Sequence, residues 1–232
     1  MRELYRGHAV VKKEELSPSV VTLWLRSAAG ARPAFVPGQF VNVLLSGHGA
    51  DAKSYSISST PRDEDFSITV RAAGAFSRAL TALKEGQTLQ VSEPCGYFYP
   101  VDETTPRACL AGGIGVAPFA SIVRSALEEQ KMPPTVLLYS NRTALEAVFR
   151  DFFAEAAAQE KNFSVEHFIT REAPPPGAHA GRIGPAALAA ARERYAAAHF
   201  FLCGSIPFVR DIRLNLKAQG VPEERIFTES FY

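Results

Sequence analysis

The sequence predicts a β + α/β protein, an N-terminal antiparallel β-barrel followed by a parallel-sheet α/β domain, and three observations carry this. Short apolar runs broken by turn residues fill the chain from Leu4 to about Pro100, the rhythm of a barrel or sandwich. The polar stretch Val101-Asp102-Glu103-Thr104-Thr105-Pro106 then interrupts that rhythm. Beyond it, strand-like and helix-like segments alternate, as parallel strands joined by helical crossovers require. The expected domains are residues 1–101 and 106–232, without an internal repeat.

Taken in order, the first region offers β-branched or alternating apolar positions at His8–Val11, Val20–Arg26, Gln39–Leu45, Ser54–Ser58, Phe66–Ala72 and Thr88–Ser92, each read as a strand. One helix, Ser77–Leu83, opens after Gly74 and closes before Lys84-Glu85-Gly86. In the second region Arg107–Ala111, Thr135–Tyr139, Phe163–Ile169 and Phe200–Cys203 read as strands. Phe119–Glu129, Leu145–Ala158, Pro185–Ala197 and Phe208–Gln219 have helical spacing. Ala173-Pro174-Pro175-Pro176-Gly177 is a stiff loop within this half, since apolar periodicity resumes after it.

Composition narrows the function classes. The 232 residues are 47% hydrophobic and 21% charged, which excludes a fully disordered chain. Twenty-five basic against 24 acidic residues give a formal charge of +1, so no long-range field draws the molecule to nucleic acid or an anionic membrane. Cys95, Cys109 and Cys203 form neither a disulfide framework nor a Cys-x-x-Cys pair, and His8, His48, His167, His179 and His199 lack ligand spacing; no metal is expected. Neither a signal peptide nor an apolar stretch of membrane-spanning length is seen, so the expected location is the cytoplasm.

Four groups of residues suit chemistry. Pro37-Gly38-Gln39-Phe40, Lys53-Ser54-Tyr55-Ser56-Ile57-Ser58-Ser59 and Arg71-Ala72-Ala73-Gly74-Ala75-Phe76-Ser77 form the first. On an extended strand Tyr55 faces one side and the hydroxyls of Ser54 and Ser56 the other, a combination able to hold a flat polar ring. Gly74 permits close backbone approach, and Ser77 stands where a helix opens with unpaired N–H groups that suit phosphate. Lys53 and Arg71 add positive charge. The same residues also read as a half-buried barrel tyrosine, a turn glycine and an ordinary N-cap. The second group, Gly112-Gly113-Ile114-Gly115-Val116-Ala117-Pro118, lies between the first α/β strand and its helix, where glycines admit a dinucleotide pyrophosphate. The third is Cys203-Gly204 at the carboxyl end of a later strand, where ligands gather, although a lone cysteine is more often a small core residue. The fourth is Glu229-Ser230-Phe231-Tyr232, whose aromatics can also simply cover the core.

Together and in this order, Lys53-Ser54-Tyr55-Ser56, Gly74-Ala75-Phe76-Ser77, Gly112–Pro118, Cys203-Gly204 and Glu229-Ser230-Phe231 resemble the ferredoxin–NADP reductase-like superfamily of flavin-dependent NAD(P)H oxidoreductases. The resemblance covers nearly the whole chain. It implies that Tyr55 packs on the isoalloxazine, that Ser56 hydrogen-bonds near flavin N5, and that the Gly74–Ser77 turn holds flavin phosphate, with Ile57, Ser58 and Val70 completing the flavin site. Gly112, Gly113, Ile114, Gly115 and Pro118 would bind the nicotinamide dinucleotide. Cys203 would lie beside the nicotinamide with Glu229 near that ring, and Phe231 or Tyr232 would stack on the flavin. The family usually has arginine where Lys53 stands; lysine lacks the bidentate fork that grips a diphosphate. FAD is favoured over FMN because Arg71 can share the phosphate charge. Ser140, Asn141 and Arg142 follow the second α/β strand, where the family discriminates the adenosine 2′ position; Arg142 suits a 2′-phosphate, so NADPH is set slightly ahead of NADH. Relatives with a fused iron–sulfur domain need clustered cysteines that are not found here.

The implied activity is hydride transfer from NAD(P)H to FAD, then single electrons to an external ferredoxin, flavodoxin or oxygenase component, by a monomer. The alternatives are an NADH-dependent reductase component of a multicomponent oxygenase and, from another class, a non-catalytic nucleotide-binding regulatory module.

Overall fold

The computed structural model describes residues 4–30, 33–49, 51–195 and 197–231. They fall into two compact units. The first takes in the described residues up to Tyr99 together with Ala120–Ser125, and the second Pro100–Phe119 with the described residues from Ala126 onward.

The first unit contains β1 (Tyr5–Ser17), β2 (Val20–Ser27), β3 (Phe40–Leu44), β4 (Lys53–Ser56), β5 (Phe66–Arg71), α1 (Ala75–Thr81) and β6 (Thr88–Ser92). The strand order is β4-β3-β6-β1-β2-β5, and every ladder is antiparallel. An antiparallel bridge between Ile57 and Ile68 joins the continuation of β4 to β5, so the two edge strands meet and no long edge is left unpaired. Inward-facing Val10, Leu23, Val41, Val43, Ile57, Ile68 and Val91 fill the core. β1 extends well beyond the expected His8–Val11, because its pairing with β2 passes through register shifts at Val10/Lys12 and Glu15/Ser17. Such bulges interrupt the alternation from which a strand is read.

The second unit contains β7 (Arg107–Gly112), the two ends of α2 (Ala117–Glu128), whose middle Ala120–Ser125 belongs to the first unit, β8 (Thr135–Asn141), α3 (Arg150–Gln159), β9 (Phe163–Ile169), β10 (His179–Ala180), α4 (Pro185–Arg194), β11 (His199–Ser205), α5 (Ile206–Ala218) and β12 (Ile226–Phe231). Its six strands are all parallel, in the order β10-β9-β8-β7-β11-β12. β8 is buried along nearly its whole length, as a strand covered on both faces must be. On one face Leu110, Leu138, Phe168, Phe200 and Leu202 pack with Leu188 of α4 and Val209, Ile212 and Leu216 of α5. The chain runs outward from β7 through β8, β9 and β10, then returns to place β11 on the other side of β7. The crevice where the order reverses lies between the carboxyl ends of β7 and β11, the place where such sheets bind ligands.

Several expected boundaries differ. Leu145–Ala158 was expected as one helix, but Ala144–Glu146 is a separate single turn. Phe149 adopts φ 60°, which ends that run and delays α3 to Arg150. α4 stops at Arg194 rather than Ala197, with Tyr195 at φ −137° leaving helical geometry. α1 begins at Ala75 with Gly74 at the cap position, two residues before the expected Ser77. Among the described residues, no helix is long and apolar enough to cross a membrane, and no group of three or more His, Cys, Asp or Glu is placed to hold a metal.

Candidate functional site

In the first unit the candidate residues lie along β4, the end of β5 and the start of α1. β4 pairs with β3 so that Val43, Asn42, Val41 and Phe40 stand opposite Lys53, Ser54, Tyr55 and Ser56. Opposite residues point the same way, so Tyr55 turns toward the core with Val41 while Ser54 and Ser56 turn away. Tyr55 packs against the core cluster and stacks on Phe76 at 6.4 Å between ring centroids, 19° from parallel. Burial pushes its phenol up to about 12, so it is a neutral hydrogen-bonding group at any working pH. Ser54 Oγ donates to Asn42 Oδ1 at 2.6 Å. Lys53 is exposed, and Arg71 is partly buried at the end of β5.

Ile57, Ser58 and Val70 are buried. The Ser58 hydroxyl accepts a bond from Thr69 Oγ1 at 2.8 Å and lies 2.9 Å from Ser67 Oγ, so these three residues can meet a ligand only through backbone atoms. Ser77 is not the cap that the sequence suggests. It is the third helical residue, and its Oγ accepts the amide N–H groups of Ala73 and Gly74, both at 2.9 Å. Gly74 has an ordinary φ of −114°, and a Cβ added there would meet nothing within 4 Å. Nothing in the protein itself demands glycine at this position; the open space suits a ligand group lying against the backbone. Flat aromatic surface, adjacent hydroxyls, nearby Lys53 and Arg71, and this open turn together fit a flavin and its phosphate.

In the second unit the glycines behave differently. Gly113 has φ 55°, in the left-handed region that favours glycine. A Cβ on Gly115 would lie 2.3 Å from the carbonyl oxygen of Cys203 and 2.7 Å from the amide nitrogen of Gly204. Cβ atoms on Gly112 and Gly204 would press on the Phe208 ring at 2.8 and 2.7 Å. These three glycines let the turn Gly113–Val116 and the end of β11 come together in the crevice beside β7. Gly113 and Ile114 remain partly exposed, and Pro118 falls in the first turn of α2, where its missing N–H costs no hydrogen bond. Backbone exposed at a helix start on this crevice fits a dinucleotide pyrophosphate.

Cys203 is 1% exposed and stands between Ala111 of β7 and Glu229 of β12 in the parallel register. Burial, assisted by the Glu229 charge, holds its thiol well above the ordinary range. It is therefore a neutral, covered thiol rather than a nucleophilic thiolate. Glu229 and Phe231 are partly exposed on β12, Phe231 opposite Ser205; Tyr232 lies outside the described residues. β12, read only as a terminal motif, brings Glu229 to Cys203.

Of the tripeptide Ser140-Asn141-Arg142, whose first two residues lie inside β8 rather than after it, Ser140 is partly exposed and Arg142 exposed, but Asn141 is 4% exposed, so its side chain is withdrawn from the surface. Arg171, absent from the expected set, joins Arg142 through its amide, which donates to the Arg142 carbonyl at 2.8 Å. Its signal was a basic residue just past the third α/β strand. Phe208 and the buried hydroxyls of Thr22, Ser67, Thr69 and Ser121 were also not anticipated.

Comparison with known proteins agrees with this geometry. Residues 8–99 match the oxidoreductase FAD-binding domain family and residues 109–214 the oxidoreductase NAD-binding domain family. The toluate 1,2-dioxygenase electron transfer component of Pseudomonas putida is 30% identical over 96% of this chain and 66% of its own length. The chain spans 57–66% of the length of the curated relatives it matches. Among solved structures, the FAD/NAD-binding domain of nitric oxide dioxygenase from Vibrio cholerae has a TM-score of 0.86 at 24% identity, with 99% of each chain covered. The ferredoxin NADP+ reductase of Neisseria gonorrhoeae has a TM-score of 0.83 at 21% identity, over 98% of this chain and 99% of that one. At those identities the structures establish the fold, while the two domain families establish descent. With the two models in succession over residues 8–99 and 109–214, this chain belongs to the oxidoreductase FAD-binding and NAD-binding domain families.

Proposed function

We propose that this chain accepts hydride from NAD(P)H and delivers electrons singly to a separate acceptor. Residues 1–101 would hold FAD and residues 106–232 the nicotinamide dinucleotide. FAD, when bound, supplies the hydride-accepting centre and the conversion of a two-electron donor into one-electron steps; the chain supplies binding, orientation and exclusion of water. Tyr55 offers neutral aromatic surface beside the ring system, and Ser56 a hydroxyl for its N5 edge. Lys53, Arg71 and the backbone of the Gly74–Ser77 turn neutralise and seat the phosphates. Gly113 and Ile114 present backbone to the dinucleotide, on a loop that Gly112 and Gly115 allow to seat beside Gly204, and the buried Pro118 fixes the first turn of the helix that follows. Cys203 and Glu229 line the nicotinamide end, the thiol as an uncharged wall and the carboxylate as an acceptor for the carboxamide N–H groups.

The observation that carries this reading is the pairing of the buried, neutral Cys203 with Glu229 at the carboxyl end of the sheet, beside the strand-order reversal. A nicotinamide ring needs an uncharged wall on one side and a hydrogen-bond acceptor for its amide, and this pair offers both. Exposed Arg142 and Arg171 support a donor bearing a 2′-phosphate, which keeps NADPH slightly ahead of NADH. For the acceptor, the name of the Pseudomonas putida relative supports an oxygenase component alongside ferredoxin or flavodoxin. The test is the visible spectrum of FAD-loaded protein under anaerobic conditions, with NADPH and NADH added to separate samples. Rapid bleaching by one nucleotide is the expected result and identifies the donor. Loaded protein that neither nucleotide bleaches refutes hydride transfer, and a chain that takes up no FAD points instead to a non-catalytic nucleotide-binding module.

A further inference from the structure

Beyond Ser56 the chain leaves its ladder with β3 and crosses toward β5, and the atoms that hold this crossing are largely hydroxyls. The Ile57 amide donates to the Gln39 carbonyl and the Ser58 amide to the Ser67 carbonyl, both at 2.9 Å. The Ser67 amide, however, donates to Ser59 Oγ at 2.8 Å. The Ser59 carbonyl accepts from Ser121 Oγ at 2.6 Å. From Ser58 a continuous line of hydroxyls runs across β5 to β2: Ser67 Oγ lies 2.9 Å from Ser58 Oγ, Thr69 Oγ1 donates to Ser58 Oγ at 2.8 Å, and Thr22 Oγ1 lies 2.9 Å from Thr69 Oγ1. Thr22, Ser58, Ser59, Ser67, Thr69 and Ser121 are each at most 4% exposed.

Valine or alanine would fill this seam without the desolvation that a buried hydroxyl suffers. What hydroxyls add is direction. Apolar packing lets a segment slide by fractions of an ångström, whereas a satisfied hydrogen-bond network allows one arrangement. Only Ile57 separates Ser58 from Ser56, two steps of extended chain or roughly 7 Å, so whatever fixes Ser58 fixes Ser56.

We propose that the buried hydroxyl line Thr22–Thr69–Ser58–Ser67 positions the Ser56 hydroxyl for the flavin reaction, an inference that rests on the reading of this site as a flavin site. Thr69 is the key member, since its Oγ1 meets both Thr22 and Ser58. It is a positioning residue, acting through Ser56 rather than touching the reacting atoms.

The test is a double-mutant cycle on the full FAD-loaded chain, using Thr69→Val, Ser56→Ala and the double variant. It is read by the anaerobic bleaching rate with nicotinamide nucleotide and, independently of turnover, by the midpoint potential of the bound flavin. Each single substitution is expected to slow bleaching about tenfold, the scale of a sub-ångström misplacement. The double variant is expected to be no slower than Ser56→Ala, because both act through one hydroxyl. The potential of Thr69→Val should move in the same direction as that of Ser56→Ala, and Thr69→Ser should restore both readouts. Multiplying effects on the rate, or wild-type rate and potential in Thr69→Val, overturn the positioning role while leaving the flavin reading intact. A wild-type chain that binds no flavin sinks both. If Thr69→Val does not fold, Ser58→Ala takes its place in the same cycle with the same criteria.

Discussion

Replacing Gly115 by alanine tests whether the crevice glycine serves the fold itself. The new Cβ would sit 2.3 Å from the Cys203 carbonyl oxygen, 2.5 Å from its carbon and 2.7 Å from the Gly204 nitrogen, where carbon contacts prefer about 3.5–4.0 Å. About 1 Å of movement is needed, and every opposing atom is backbone of β11, which is hydrogen-bonded to strands on both sides. Overpacking of this kind costs roughly 1–3 kcal/mol, and the absence of a yielding side chain puts Gly115→Ala near 3. For a chain of this size about 2–4 °C follows each kcal/mol, so Tm should fall by roughly 6–12 °C, with nicotinamide-nucleotide affinity falling as Cys203 is displaced. Gly74→Ala is the counterpart. Its Cβ meets nothing, its φ is ordinary, and only the cap preference for glycine over alanine is lost, about 1 kcal/mol or less. There Tm should stay within about 4 °C while flavin retention drops, because the methyl occupies the space given to the ligand. Thermal unfolding and flavin titration of both variants are the assays. Wild-type Tm in Gly115→Ala refutes the steric argument, and unaltered flavin affinity in Gly74→Ala removes that turn from the flavin site.

Cys203→Ala should leave flavin content unchanged and slow bleaching by nicotinamide nucleotide; an unchanged rate makes it a packing residue. The native Cys203 thiol should resist iodoacetamide at pH 8, since burial keeps it protonated and covered, and mass spectrometry showing rapid labelling at that site would contradict this. Tyr55→Ala should cost about 5- to 150-fold in flavin affinity through lost stacking, about 1–3 kcal/mol for a flat ring on an aromatic face, whereas Tyr55→Phe retains most of it; equal retention by both variants and wild type excludes Tyr55 from the site. Burial lowers the folded-state pKa of both His8 and His167, so below about 6.5 the unfolded chain binds more protons than the folded one. Their contribution is then fully favourable above pH 6.5 and declines as pH falls toward the lowered values. Urea midpoints should decrease from pH 7.5 to 5.5, and a rise on acidification would refute the assignment.

The domain classes were legible because each half repeats one periodicity. Five of the six barrel strands lie within about two residues of their expected ends, and the buried runs Arg107–Ala111 and Thr135–Tyr139 sit inside β7 and β8. What escaped was set by contacts distant in sequence. β12 reads Ile226-Phe227-Thr228-Glu229-Ser230-Phe231, two apolar residues, three polar and one apolar, without the period of two, and only its pairing with β11 makes it a strand. Phe149 supplies an apolar residue at helical spacing yet takes a left-handed φ that no propensity anticipates. The two roles of glycine were equally hidden. Gly74 and Gly115 look alike in a motif, but one borders open space and the other a carbonyl 2.3 Å from its missing Cβ.

The tripeptide Ser140-Asn141-Arg142 shows how much further alternation can be carried once a sheet face is known. Leu138 packs with α4 and α5 on the same face as Leu110, Phe168 and Leu202, and the period of two continues that face to Ser140. Gly112, the register partner of Ser140, touches Phe208 there together with Gly204, so Ser140 belongs to the crevice side. Tyr139 and Asn141 take the opposite face, and the buried Asn141 amide makes no hydrogen bond through either Oδ1 or Nδ2 among the described residues. A contiguous motif thus divides between two faces, and of its three side chains only Ser140 and the exposed Arg142 are available to a ligand at the sheet's carboxyl edge. Ile57 follows the same rule in the barrel: it sits inside the Tyr55-Ser56-Ile57-Ser58 run, yet its side chain is core and the bridge to Ile68 uses its backbone to close the barrel. Sequence motifs mark where a ligand approaches a strand end, but strand phase decides which of the marked residues it can meet.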